Sequence, residues 1–107
     1  MNSITRPLYP LPAWANNSAV PGQLLTVTST AVVQLTTPLN RITDLVMFDV
    51  QLASVWATVD GSTPSTNAGH VLAAGTAYTW SAGMMNAAKF VATGTTNAEI
   101  WVSELQV

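Results

Sequence analysis

The chain has 107 residues, no cysteine and a formal net charge of −2. That length suits one modest core, and the missing cysteines exclude disulfides, thiolate nucleophiles and zinc–sulfur sites. Charged residues make up 7% of the chain, against roughly 25% in an ordinary soluble domain, and three cations are too few for a phosphate-binding surface.

The cations are Arg6, Arg41 and Lys89; the acids are Asp44, Asp49, Asp60, Glu99 and Glu104. These acids read as strand-end solubilising groups or turn formers. Polar character comes instead from Thr, Ser, Asn and Gln, which hydrogen-bond well but repel nothing. A free monomer normally keeps itself dispersed by mixed surface charge. The deficit therefore implies that much of the surface faces other protein chains; a mildly charged monomer is the competing reading. No apolar run reaches the ~18–20 residues of a membrane helix, and the start lacks the charged and apolar regions of a secretory signal. Neither a membrane nor a nucleic acid is expected as a partner.

Residues 1–21 read as an extended N-terminal arm and residues 22–107 as one β domain. Pro7, Pro10 and Pro12 each fix φ, remove a donor and push the preceding residue toward extended backbone. Leu8, Tyr9, Leu11 and Trp14 are too apolar for a solvated linker. Such an arm should lie on its own domain, on a second copy or on a different protein.

From Gly22 onward Val and Thr dominate, both suited to a pleated surface. Gln23–Ser29 alternates, with Leu25 and Val27 on one face. Ala31–Thr36 follows as a strand with Val33 and Leu35 on one side, then a turn at Pro38-Leu39-Asn40. Leu45–Leu52 is apolar on both faces, which predicts a central strand. Ala53–Val59 alternates again, with Val55, Ala57 and Val59 opposite Ser54, Trp56 and Thr58. The stretch 60–69 carries Gly, Pro, Asn and Ser at the density of consecutive turns. Strands are expected at His70–Ala73, Thr76–Ser81, Ala88–Ala92 and Asn97–Gln106, with a helical turn at Gly83–Asn86. Short strands with such turns predict an all-β fold, a single β-sandwich or jelly-roll-like barrel with a Pro-rich arm.

Asp60, Ser62 and His70 are the three residue types of a hydrolase triad. A triad needs a carboxylate-oriented base aimed at the serine, plus an oxyanion hole. Turn chemistry explains Asp-Gly and Ser-Thr-Pro fully, and no Gly-x-Ser-x-Gly elbow is present. One histidine with scattered carboxylates does not assemble a transition-metal site within one copy. His70 reads as a loop-end histidine bonded to backbone, or else as a ligand on a symmetry axis. No phosphate-cradling Gly-rich loop exists. Neither catalysis nor a cofactor is expected.

The aromatic residues carry more. Alternation puts Trp56 opposite Val55 and Val59, and Trp101 opposite Ile100 and Val102. Tyr78 and Trp80 share one face of their strand. Either the tryptophans fill a wide core, or Trp56 and Trp101 form a platform for the arm, a second copy or a sugar. The candidate partner-binding residues are Leu8, Tyr9, Leu11, Trp14, Trp56 and Trp101.

From Ala53 to Gly75 the chain reads Ala-Ser-Val-Trp-Ala-Thr-Val-Asp-Gly-Ser-Thr-Pro-Ser-Thr-Asn-Ala-Gly-His-Val-Leu-Ala-Ala-Gly. This resembles a pattern of small virion proteins of tailed bacteriophages, in which a strand ending Thr-x-Asp-Gly-Ser-x-Pro leads through a polar loop to Gly-His-x-Leu-x-Ala-Gly. Ala88-Lys89-Phe90-Val91 and Ala98-Glu99-Ile100-Trp101-Val102 occupy the places of the family's following strands. The resemblance covers about half the chain and leaves the arm and residues 22–45 outside. It implies a non-enzymatic virion structural protein, assembled in the host cytoplasm: a capsid decoration or cement protein, or one at a head–tail or tail junction. Its partners would be the major capsid protein or another virion protein, and further copies of itself. A carbohydrate- or receptor-binding module of a tail or fibre is the alternative.

Overall fold

The computed structural model describes residues 9–10 and 22–106, and over these the period-two alternation becomes strand after strand. β1 is Tyr9–Pro10, β2 Gly22–Val27, β3 Leu45–Gln51, β4 Val55–Thr58, β5 His70–Leu72 and β6 Thr76–Ser81. A helical turn α1, Ala82–Ala87, leads to β7, Lys89–Ala92, and β8, Ala98–Gln106. The fold is all-β, in two antiparallel sheets. One has the order β1-β8-β3-β6, with β2 beside β1 along the same flank of β8. The other has the order β5-β4-β7.

The two sheets are made by the same ribbons. β3 and β4 run antiparallel to β5 and β6 along their whole course, first in one sheet and then in the other. Val50 lies opposite Thr76 and, past the corner, Val55 lies opposite Leu72, so one side advances a residue more than the other. The extra residue is taken up at Leu52, where φ is +72° and the Ala53 N–H donates to Gln51 O at 2.9 Å. That is a γ-turn with positive φ, a rare and strained form. Ser54 ties the corner together: its hydroxyl accepts from Ala74 N–H (3.2 Å) and its carbonyl from Thr93 Oγ1 (3.1 Å).

The inner faces share one core, built from Leu25, Val27, Val46, Phe48, Val50, Ile100 and Val102 of the first sheet and Val55, Ala57, Leu72, Phe90 and Ala92 of the second. Burying each large member contributes about 1.5–3 kcal/mol. Phe48 is the aromatic hub, with ring centroids 4.8 Å from Trp80, 5.5 Å from Tyr78 and 6.3 Å from Phe90. α1 carries the chain between the sheets. Ser81 caps it, its hydroxyl accepting from Met84 N–H at 3.2 Å, and Met85 is buried beneath it.

Two expectations are corrected. Ala31–Thr36 is not a strand: Val33 alone bridges Phe90, exchanging two 2.9 Å hydrogen bonds, because the rest of this stretch has no continuous partner among the described residues. Side chains pin the connection instead. Gln23 donates from Nε2 to Thr37 O (2.8 Å) and accepts from the N–H groups of Thr36 and Thr37. Glu104 is the second correction, since it is not a solubilising strand-end acid. It is 2% exposed, and its Oε1 accepts from Asn40 N–H (2.8 Å), Asn40 Nδ2 (3.1 Å) and Thr43 Oγ1 (2.6 Å). Three donors compensate its desolvation. Of the expected arm, Tyr9 and Pro10 pair with Gln106 and Leu105; Leu8, Leu11 and Trp14 lie outside the described residues.

Candidate interaction surface

Cross-strand register sets which outward side chains meet. On the outer face of the first sheet one row runs Leu24–Trp101–Asp49–Ala77, and the next runs Gly22–Ser103–Met47–Thr79. Leu24, Trp101 and Met47 therefore cluster, with Met47 diagonal to Trp101. They are 47%, 50% and 44% exposed. Half-exposed apolar side chains gathered on one sheet face mark a contact surface more than scattered ones do.

The outer face of the second sheet carries a different row, Val71–Trp56–Val91. The Val33–Phe90 bridge places Val32 beside Val91 at its end. Val71 is largely exposed and Trp56 half-buried. Trp56 and Trp101 thus both point away from the core, but from opposite sheets, and form no common platform. Tyr78 and Trp80 face inward and pack on the core. The Tyr78 hydroxyl accepts from Ala73 N–H at 2.9 Å, and each ring stacks on a core phenylalanine, Tyr78 on Phe48 and Trp80 on Phe90.

Sequence reasoning singled out the tryptophans but not Leu24 or Met47. Their alternation relative to Leu25 and Val46 was the available signal. What joins them to Trp101 is strand order, which no local pattern encodes.

The loop after β4 encloses a depression of about 250 Å³ lined by Thr58, Asp60, Ser62, Gly69 and His70, among others. The three triad residue types do converge here, in the wrong arrangement. Ser62 donates both its hydroxyl (2.5 Å) and its N–H (3.0 Å) to Asp60 Oδ1, an Asx turn. Its proton is therefore directed at the acid and not at an imidazole. These two bonds, the hydroxyl's first, hold the Asp60 carboxyl below its ordinary pKa, with a smaller attraction from His70. Among the described residues no hydrogen bond joins His70 to either. Gly69 closes the loop at φ +118°, so near β4 that a Cβ would sit 2.8 Å from Ala57 O. Lys89 Nζ reaches across to Gly61 O at 3.0 Å. These contacts hold the loop in shape.

Among the described residues no group of three His, Cys, Asp or Glu side chains is placed to hold a metal ion. No helix among them is long and apolar enough to cross a membrane. Comparison with known proteins returns no match: no family model, no curated protein and no solved structure aligns significantly with this chain.

Proposed function

We propose that the chain is a non-enzymatic structural protein of a tailed-phage virion, a capsid decoration or cement protein that binds the shell through its outer sheet faces. The observation that carries this reading is the cluster of Leu24, Met47 and Trp101, half-exposed on a chain in which 7% of the residues are charged. A shell protein meets that cluster with apolar surface, and the charge deficit costs nothing once the faces are covered. The winding of paired ribbons through both sheets supports a jelly-roll-like sandwich, an architecture suited to lattice packing. The loop resemblance over Ala53–Gly75 points the same way.

Gold-labelled antibody on particles purified from the source tests it. Label over the head is expected, and particles without label overturn the reading. The triple variant L24S/M47S/W101S should keep its far-UV circular dichroism and lose at least about tenfold in particle association, roughly 1.4 kcal/mol.

One observation favours a carbohydrate- or receptor-binding module: Trp101 offers a half-exposed ring with Asp49 directly beside it in the register. A stacking face next to a hydrogen-bond acceptor suits a sugar. Glycan-array binding together with a shift of tryptophan emission would select this alternative, and label on the tail in place of the head would accompany it.

A further inference from the structure

The flanks of the two sheets are treated unequally. The outer side of β7 is engaged by Val33 and by Thr28, whose carbonyl accepts from Ala92 N–H at 3.0 Å. Beside β2, the Gln23 side chain holds residues 36–37. β5 is three residues long. β6 has six residues, spanning ~20 Å, and among the described residues no backbone partner is recorded on its outer side.

The hydrogen-bond phase of β6 follows from its ends. Asp44 O accepts from Ala82 N–H, and Val50 O accepts from Gly75 N–H. The even-numbered residues of β3 therefore direct their backbone groups at β6. Their register partners Thr76, Tyr78 and Trp80 point back at β3, while Ala77 and Thr79 point their N–H and C=O groups outward. The side chains of Ala77 and Thr79 are exposed as well.

Natural sheet edges are guarded by lysines, prolines, bulges or inward charges. β6 reads Thr-Ala-Tyr-Thr-Trp-Ser and has none of these residues. From residue 61 to residue 88 the chain contains no Asp, Glu, Lys or Arg, so the flank formed by β5, β6 and α1 carries no formal charge apart from any on His70. An unguarded, uncharged edge has an identical edge as its natural complement, because an antiparallel pair of the same strand is closed by a two-fold axis.

We infer that β6 pairs with β6 of a second copy, antiparallel, about a two-fold axis at Tyr78. This register sets Ala77 of each copy opposite Thr79 of the other and satisfies all four outward groups of these residues in each copy. Shifted registers engage the strand ends, where the chain turns at Gly75 or enters α1. The first sheets of the two copies become one continuous sheet. The inference rests on the edge alone, not on a virion role.

Sedimentation velocity on the full chain at micromolar concentration tests it. The natural sequence should sediment as a dimer. Thr79→Pro removes an outward N–H that no bond among the described residues uses, and should weaken association at least tenfold. A77K/T79K is the second disrupting variant. It sets introduced ammonium groups against each other twice across the axis, while Asp49, opposite Ala77 in the same chain, gives the lysine at 77 an internal counter-charge that protects the fold. A77K/T79E should restore the dimer, since each introduced charge then faces its opposite. A natural chain that is monomeric, a dimer that A77K/T79K leaves intact, or a charge swap that restores nothing would each overturn the inference. A monomer would leave the particle-labelling result untouched, so the two proposals fail separately.

Discussion

Glu104 shows how a single residue can fix a long connection. It lies on the inward side of β8, and its three hydrogen bonds among the described residues fall on one oxygen, from Asn40 and Thr43. The connection from β2 to β3 has no strand of its own, so this oxygen and the Gln23 amide hold it in place together with the Val33–Phe90 bridge and the Thr28–Ala92 bond. Removing the acceptor strands three donors. Glu104→Ala should therefore lose about 2–4 kcal/mol of stability in equilibrium urea unfolding, whereas Glu104→Gln, which keeps an acceptor oxygen, should lose less. Equal losses in the two variants would mean that the hydrogen bonds are not what matters. Asp60 makes the opposite case, an exposed acid in a turn. Its folded pKa is lowered by the Ser62 bonds, so its contribution is fully present above the unfolded value, about 3.9. That contribution is lost as pH falls through the lower folded value. Asp60→Asn should therefore be less stable than the natural chain at neutral pH, and the difference should shrink as pH falls. Urea midpoints measured at about pH 7 and about pH 2.5 check the sign.

At the scale of elements, the strands were legible because a half-buried strand writes its own alternation into the chain. Thr76–Ser81 is found at its expected bounds, and Val46, Phe48 and Val50 do face the core of a central strand. What was not legible depends on partners distant in sequence. Val33 alternates like a strand residue yet has one bridge. Glu104 looks like a terminal acid until Asn40 and Thr43 arrive from far along the chain. Trp56 and Trp101 were correctly turned from their aliphatic neighbours, but strand order put them on opposite sheets. The corner at Leu52 is the least legible feature, since nothing about leucine announces a positive φ. A leucine there is strained by about 1–2 kcal/mol and, at 68% exposure, buries little in return. Leu52→Gly should relieve the strain, less the ~0.5–1 kcal/mol that glycine's freer unfolded chain costs. A net gain of about 0.5 kcal/mol corresponds to roughly 2–4 °C in Tm. Leu52→Ala keeps the strain and should show no gain; a matching rise in both variants would place the effect in the lost side chain instead.

For the molecule as a whole, β8 is the strand on which the first sheet depends. It pairs with β3 on one side and with both β1 and β2 on the other. Among the described residues, every strand partner of β2 lies between Ala98 and Ser103. The same strand supplies Ala98, Ile100 and Val102 to the core, each fully buried, and Glu104 to the connection. A typical domain has a net stability of about 5–15 kcal/mol. Losing an isoleucine and a valine from the core removes about 3–6 kcal/mol by burial alone, before the unpaired backbone of β2 and β3 is counted. Deleting residues 98–107 should therefore abolish cooperative unfolding, even though the second sheet keeps all of its strands. A synthetic peptide of residues 98–107 added to the shortened chain should restore β-type circular dichroism, because the gap it enters has an antiparallel neighbour on each side. Restoration should be slow, on the order of milliseconds to seconds at saturating peptide, as is usual where pairings are distant in sequence. A shortened chain that still melts in a single sharp transition would show that the second sheet and its half of the core are stable alone, and that β8 is an addition to the fold instead of its centre.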